Sequence, residues 1–139
     1  MPALFLADKS ALARVALPAV EERLGPLLMA GELATCGVID LEMLFSARDQ
    51  RDFTTQLQLR RASYERVSME QEHFDRAIEV MGLLTKRSQL RGLTIPDLLI
   101  AAVAERAGLV VLHYDSDFDR IARVTRQEME WVVPRGTVA

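Results

Sequence analysis

Lysine, cysteine, histidine and long apolar runs are all scarce in this chain, and each scarcity closes off a class of protein. With Cys36 the only cysteine, no internal disulfide can form, and a reducing compartment is the simple expectation. Its setting, between Thr35 and Gly37-Val38-Ile39, suits a buried structural thiol better than a nucleophile. The only lysines are Lys9 and Lys86, so no lysine stands near a late strand end, as a phosphoryl-accepting receiver domain requires. No apolar run approaches the roughly 20 residues of a membrane helix; Leu98–Ala104 is bounded by Asp97 and Glu105. The N-terminus lacks a basic start and meets Asp8 too early for an export signal, so cytoplasmic residence without a membrane is expected. Seven glycines and five prolines in 139 residues, half of them hydrophobic, argue against disorder and for one domain with a real core. The formal net charge of −3 gives no overall pull toward nucleic acid, so any such contact must be local.

What is present alternates. Ala3–Ala7 reads as a short buried strand, and Asp8-Lys9-Ser10 offers a turn and cap before a helix over Ala11–Ala16. Pro18 starts a second helix over Ala19–Met29. Leu33–Val38 is the next strand, followed by a helix from Ile39 to Arg48 that carries Glu42 on its first turn. Asp52–Ser63 is helical and Arg66–Met69 a short strand. From Glu70 to Arg87 the residues Phe74, Ala77, Ile78, Met81, Leu84 and Thr85 recur at helical spacing and are expected to pack. Asp97–Arg106 is apolar on most faces, hence central; Gly108 ends it, and Leu109–Leu112 is a continuous apolar run of the kind covered on both sides in a parallel sheet. Asp117–Val124 is a short helix and Met129–Val133 a last strand. Strands alternating with helices imply an α/β domain with a central, mostly parallel sheet flanked by helices.

On that framework the acids take significance. In a parallel sheet the ligand-binding rim lies beyond the carboxyl ends of the strands. Asp8 follows one apolar run, Glu42 another; Asp97 opens the central helix, and Asp115 and Asp117 follow the strand after it. Two carboxylates about 4 Å apart repel by roughly 4 kcal/mol at an effective dielectric near 20, so a converging set must hold protons or bind a cation. All-oxygen ligands without histidine suit Mg²⁺ or Mn²⁺ rather than Zn²⁺.

The ordered segments LADKS around Asp8, IDLEML around Glu42, PDLLIAA around Asp97 and HYDSDFDRIA around Asp115 resemble PIN-domain nucleases, most of all the VapC toxins of bacterial toxin–antitoxin pairs. The likeness runs from Leu4 to Val133, within one PIN-like domain spanning residues 1–139 with its core at about 4–133. It implies that Asp8, Glu42, Asp97 and Asp115 form an acidic quartet holding one or two Mg²⁺ or Mn²⁺ ions, with Asp117 assisting directly or through water. It implies that Ser10 orients Asp8. It further implies an endoribonuclease that cleaves RNA with metal-activated water, is usually a homodimer and is inhibited by a VapB-like antitoxin. His113-Tyr114 departs from the threonine-containing stretch of many relatives.

Simpler readings stand beside these. Asp97, Asp115 and Asp117 each suit a helix cap, and Glu42 a helix-dipole complement. Asp8, a charge ending a buried strand, needs a partner. Ser10 is equally a helix-turn hydroxyl. His113 is expected to be packed or superficial rather than an RNA contact, His73 to lie on the surface, Asp119 to be a solvated charge and Trp131 to be core. Arg48, Arg51, Arg60, Arg61 and Arg66 make a local basic excess, which reads as an RNA track or a solvated helix face, with Arg87 and Arg91 as possible additions. Leu12, Val15, Leu17, Met43, Leu44 and Phe45 are core, or partly line a groove for a partner helix or dimer mate. A phosphatase with an early DxD motif is disfavoured because Lys9-Ser10 follows Asp8. The remaining alternative is a catalytically silent PIN-like module that binds RNA or protein.

Overall fold

The computed structural model describes residues 3–139; residues 1 and 2, the first of the expected domain span, lie outside the described residues. The elements follow in the order β1 (Phe5–Ala7), α1 (Lys9–Leu12), α2 (Pro18–Met29), β2 (Leu33–Cys36), α3 (Gly37–Leu44), α4 (Gln50–Ser63), β3 (Glu65–Val67), α5 (Gln71–Lys86), α6 (Ile95–Ala107), β4 (Val110–His113), α7 (Asp117–Thr125) and β5 (Met129–Trp131). The five strands form one sheet in the order β3-β2-β1-β4-β5. Every pairing is parallel, with Phe5 opposite both Leu33 and Val110, Ala34 opposite Glu65 and Leu112 opposite Glu130. The chain winds outward from β1 to β3 and then returns to add β4 and β5 on the other side. The crevice between the carboxyl ends of β1 and β4 is therefore a topological switch point, where open α/β sheets bind ligands.

The apolar sequence of α6 explains its place. Every residue from Asp97 to Ala104 is buried, and the helix packs on β1, β4, α3, α5 and α7. Leu6, Leu33, Ile100, Val111 and Leu112, all essentially inaccessible, join sheet and helix in one core. Gly108 terminates α6 in the left-handed region at φ 69°, and Leu109 N–H then reaches back to the Ala104 carbonyl at 2.9 Å. Space around Gly108 is open, so Gly108→Ala meets only backbone strain. That substitution is expected to cost about 1 kcal/mol, read as a melting temperature lower by roughly 2–4 °C.

The strands and helices fall where the sequence places them, with shifted ends. α1 stops at Leu12 rather than Ala16, and α3 begins at Gly37, which puts Glu42 on its second turn instead of its first. α5 departs more. Its buried stripe is His73, Ala77, Val80 and Leu84, while Phe74 and Ile78, expected to pack, are 45% and 64% exposed. Two apolar stripes overlap on this helix at nearly the same spacing, and the one carrying His73 faces the core. His73 is thus buried rather than superficial because its ring also closes the helix start: Nδ1 accepts the Glu70 N–H at 2.8 Å, while Glu70 reciprocates through its side chain.

Candidate active site

Four stretches of chain deliver carboxylates to the crevice. Asp8 ends β1 and caps α1; its Oδ2 accepts the Ser10 N–H at 2.9 Å and the Ser10 hydroxyl at 2.6 Å. Ser10 Oγ in turn accepts the Tyr114 N–H at 2.9 Å, and Asp8 N–H bonds the Leu112 carbonyl, so the ends of β1 and β4 are tied together. Ser10 is thus both a helix-turn hydroxyl and the group that orients Asp8. Asp97 lies in the first turn of α6 without capping it. That task falls to Thr94, whose hydroxyl accepts the Asp97 N–H at 3.3 Å.

Beyond β4, Asp115 Oδ1 accepts the Asp117 N–H at 2.9 Å, and the Asp115 N–H bonds His113 Nδ1 at 3.1 Å. Asp117 faces Arg120 at 3.5 Å; the same guanidinium bonds the carbonyls of Gln89 and Arg91, fixing the loop that leads into α6. Asp97, Asp115 and Asp117 bring carboxylate oxygens to within 4.8 Å of one another. Asp8 and Glu42 stand outside this triplet but within its field. Burial pushes Asp97 up to about 7, and the charges of Asp8, Asp115 and Glu42 add to the rise against the Thr94 hydrogen bond. Glu42 is raised as well, first by burial and then by Asp8, with Lys9 opposing.

A hard divalent cation fits this donor set. All five side chains offer oxygen, the Asp97 pKa is raised by burial and by neighbouring carboxylates with no cation beside it among the described residues, and Glu42 Oε1 is buried with no hydrogen-bond partner. An orphaned buried acceptor is costly unless something positive meets it.

The other residues singled out in the sequence sort themselves by packing. His113 is fully buried between Phe118 and Trp131, at 5.0 and 5.1 Å between ring centroids. Its desolvation lowers its pKa, over the opposing pull of Asp119, Asp8 and Asp115, so it serves as a neutral acceptor for the Asp115 loop. Trp131 is only half-buried. Its Nε1 donates to Asp119 at 3.3 Å, which corrects the reading of Asp119 as a solvated charge: aromatic packing beside it supplies a donor. Cys36 is a buried thiol whose pKa is raised chiefly by burial. Arg60, expected on an exposed basic track, is buried: Nε bonds Asp40 at 2.9 Å, Nη2 bonds Thr35 Oγ1 at 2.9 Å, and its guanidinium lies over Tyr64. Arg48, Arg51, Arg61, Arg66, Arg87 and Arg91 remain exposed. Leu12, Val15 and Met43 share an apolar cavity of about 160 Å³ with Leu24, Leu28 and Tyr64, whereas Phe45 is almost fully exposed and Leu17 packs on the core.

Sequence reasoning missed the Thr35–Asp40–Arg60 cluster and the Thr94 cap. The second was marked by the spacing Thr94-x-x-Asp97 ahead of an apolar run. The first left no local mark.

A sequence profile of the PIN domain matches residues 3–124. Ribonuclease VapC21 of Mycobacterium tuberculosis is 50% identical over 133 residues, covering 96% of each chain. Among solved structures, VapBC2 from Rickettsia felis, bound to a DNA fragment from its promoter, superposes with a TM-score of 0.74 at 12% identity, over 94% of this chain and 99% of that one. VapBC-5 from Mycobacterium tuberculosis, a member of the VapBC family of toxin–antitoxin systems, gives 0.62 at 18% identity over 91% and 98%. At such identities these two likenesses speak for the fold, while the profile and the ribonuclease speak for kinship: the chain belongs to the PIN-domain family and is VapC-like within it.

Proposed function

We propose that the protein is an endoribonuclease dependent on Mg²⁺ or Mn²⁺ and acts as the toxin of a VapBC-type pair. The observation that carries this reading is the carboxylate set at the β1–β4 crevice, in which buried Asp97 is pushed up to about 7 and Glu42 Oε1 has no partner. Asp8, Asp97 and Asp115 would hold the metal, with Glu42 and Asp117 completing its surroundings. When bound, the ion neutralises charge developing on a phosphodiester and lowers the pKa of a water. Ser10 keeps one Asp8 oxygen occupied and so turns the other toward the site. Asp97, once its proton is displaced, adds a carboxylate from the floor of the crevice. Glu42 contributes an acceptor able to take a proton from water, since its own pKa is raised. His113 and Arg120 hold the Asp115 and Asp117 loop from opposite sides.

The VapBC relatives support a VapB-like antitoxin as partner. The apolar cavity beside Val15 and Met43 offers such a partner's helix a place to dock. A homodimer working in the cytoplasm completes the proposal, and no helix among the described residues is long and apolar enough to cross a membrane.

The test is incubation of purified protein with total cellular RNA and Mg²⁺ or Mn²⁺, beside EDTA and Asp8→Asn controls. Discrete fragments that vanish in both controls are expected. Unchanged fragments in EDTA would remove the metal from the mechanism, and RNA bound but never cleaved would make the protein a silent binding module.

A further inference from the structure

At the same sheet edge, but over β2 and β3, lies a second cavity of about 370 Å³ whose chemistry is the opposite of the acidic crevice. Thr35, Asp40, Leu41, Arg60, Arg61 and Arg66 line it. Three guanidiniums meet one carboxylate there, an excess of two positive charges in a protein of net charge −3. Asp40 is shared: Oδ1 takes Arg60 at 2.9 Å and Oδ2 faces Arg66 at 3.8 Å. Arg61 forms no ion pair among the described residues. Arg60, 7% exposed, spends Nε on Asp40 and Nη2 on Thr35, and its guanidinium, stacked over Tyr64, lines the cavity.

A buried cation that shares its only counter-ion is incompletely neutralised, and arginine's planar fork suits phosphate oxygens. Arg60 is already oriented by Thr35, Asp40 and the Tyr64 ring, so an anion would meet a group held in place. Asp40 and Glu42 are two positions apart on α3, which puts them on different sides of one short helix, so the arginine pocket and the acidic crevice flank it. The exposed Gly37, at the start of α3, presents no side chain to a strand passing between them.

We propose that this pocket is a phosphate subsite for the RNA strand, seating a phosphate away from the scissile one while the acidic crevice engages the bond to be cut. The proposal rests on the ribonuclease reading above. It also divides the basic segment that the sequence presents as one track: Arg60, Arg61 and Arg66 form the subsite, and Arg48 and Arg51 are ordinary solvated charges. Arg48 pairs locally with Asp52 in the manner of such a charge.

The experiment compares Arg61→Ala/Arg66→Ala with the charge-matched Arg48→Ala/Arg51→Ala, each in an Asp97→Asn background with EDTA. Fluorescence anisotropy of a labelled single-stranded RNA of mixed sequence is followed against salt. Losing the grip on one seated phosphate should weaken binding about tenfold or more and lower the salt slope by roughly 0.7, while the charge-matched pair has a much smaller effect. In parallel, adenosine 3′,5′-bisphosphate is titrated into wild-type protein, with the arginine Nε–H resonances read by NMR. Saturable shifts at Arg60, Arg61 and Arg66 are expected. Equal losses in the two double variants, or no shift at these three arginines, would overturn the subsite and leave the ribonuclease reading standing. Bisphosphate shifts at the pocket with neither binding nor cleavage of RNA by the wild type would instead sink the ribonuclease reading and leave an anion site of another purpose.

Discussion

Asp97→Asn is expected to make the metal-free protein more stable at pH 8 and, in the same variant, to abolish most RNA cleavage. Asp97 titrates near 7 in the fold against 3.8 in the open chain, because it is buried and surrounded by Asp8, Asp115 and Glu42. A carboxyl with a raised folded pKa binds its proton more tightly in the folded state. Between about pH 4 and pH 7 the folded chain therefore carries more protons than the unfolded one, and stability falls as pH rises through that window. Above pH 7 the loss is complete. The full shift corresponds to roughly 4 kcal/mol as an upper bound, and relaxation of the site reduces this to about 1–3 kcal/mol. Asparagine keeps the size and removes the charge, so its advantage should appear at pH 8 in EDTA as a melting temperature several degrees higher, and disappear at pH 4. Adding Mn²⁺ should reverse the order, because wild-type protein gains stability from ion binding that the variant largely lacks. Cleavage should fall at least about 100-fold, in line with removing a group that acts on developing charge. Equal melting curves at pH 8, with or without Mn²⁺, would separate Asp97 from the site; a lower melting temperature in EDTA would mean that the carboxylate is structurally paired instead.

The acids were legible because each is marked locally. Asp8 and Asp115 follow apolar strands, Asp97 precedes an apolar helix, and a parallel sheet must then collect strand ends on one rim. The same local logic gave the element order, since apolar runs such as Leu98–Ala104 have few places to go. What escaped depended on partners remote in sequence or on a rotation too fine for periodicity. The bond from Arg60 to Asp40 spans 20 residues and that to Thr35 spans 25, so nothing near Arg60 distinguishes it from Arg61. On α5, apolar spacing favoured the stripe through Phe74 and Ile78, yet the helix turns its His73 stripe inward, a difference of one residue. Asp119 was misread because its donor, Trp131 Nε1, arrives from β5.

The largest effect on stability should come from the pair that the sequence hid. Arg60→Ala leaves Asp40 with Thr35 and a distant Arg66, and removes a guanidinium packed over Tyr64. Breaking one side of a buried pair typically costs more than the pair contributes, because the remaining charge is stranded; about 3 kcal/mol is expected here, measured by urea unfolding. Asp40→Ala should cost a similar amount by stranding Arg60. The double variant is the decisive measurement, since with both charges gone neither is left uncompensated. Its loss should fall short of the sum of the singles by more than about 1 kcal/mol. Because Asp40 lies two residues before Glu42 on α3, the singles should also reduce cleavage per folded molecule. The double variant should not recover it, since removing Asp40 takes away the α3 anchor to β2 through Thr35. Strictly additive losses would mean that Arg60 and Asp40 are held independently, by Tyr64 and Thr35 rather than by each other. In that case Arg60 would still line the basic pocket, but its fixed orientation there would derive from aromatic stacking, and Tyr64→Leu rather than Asp40→Ala would be the change that loosens it.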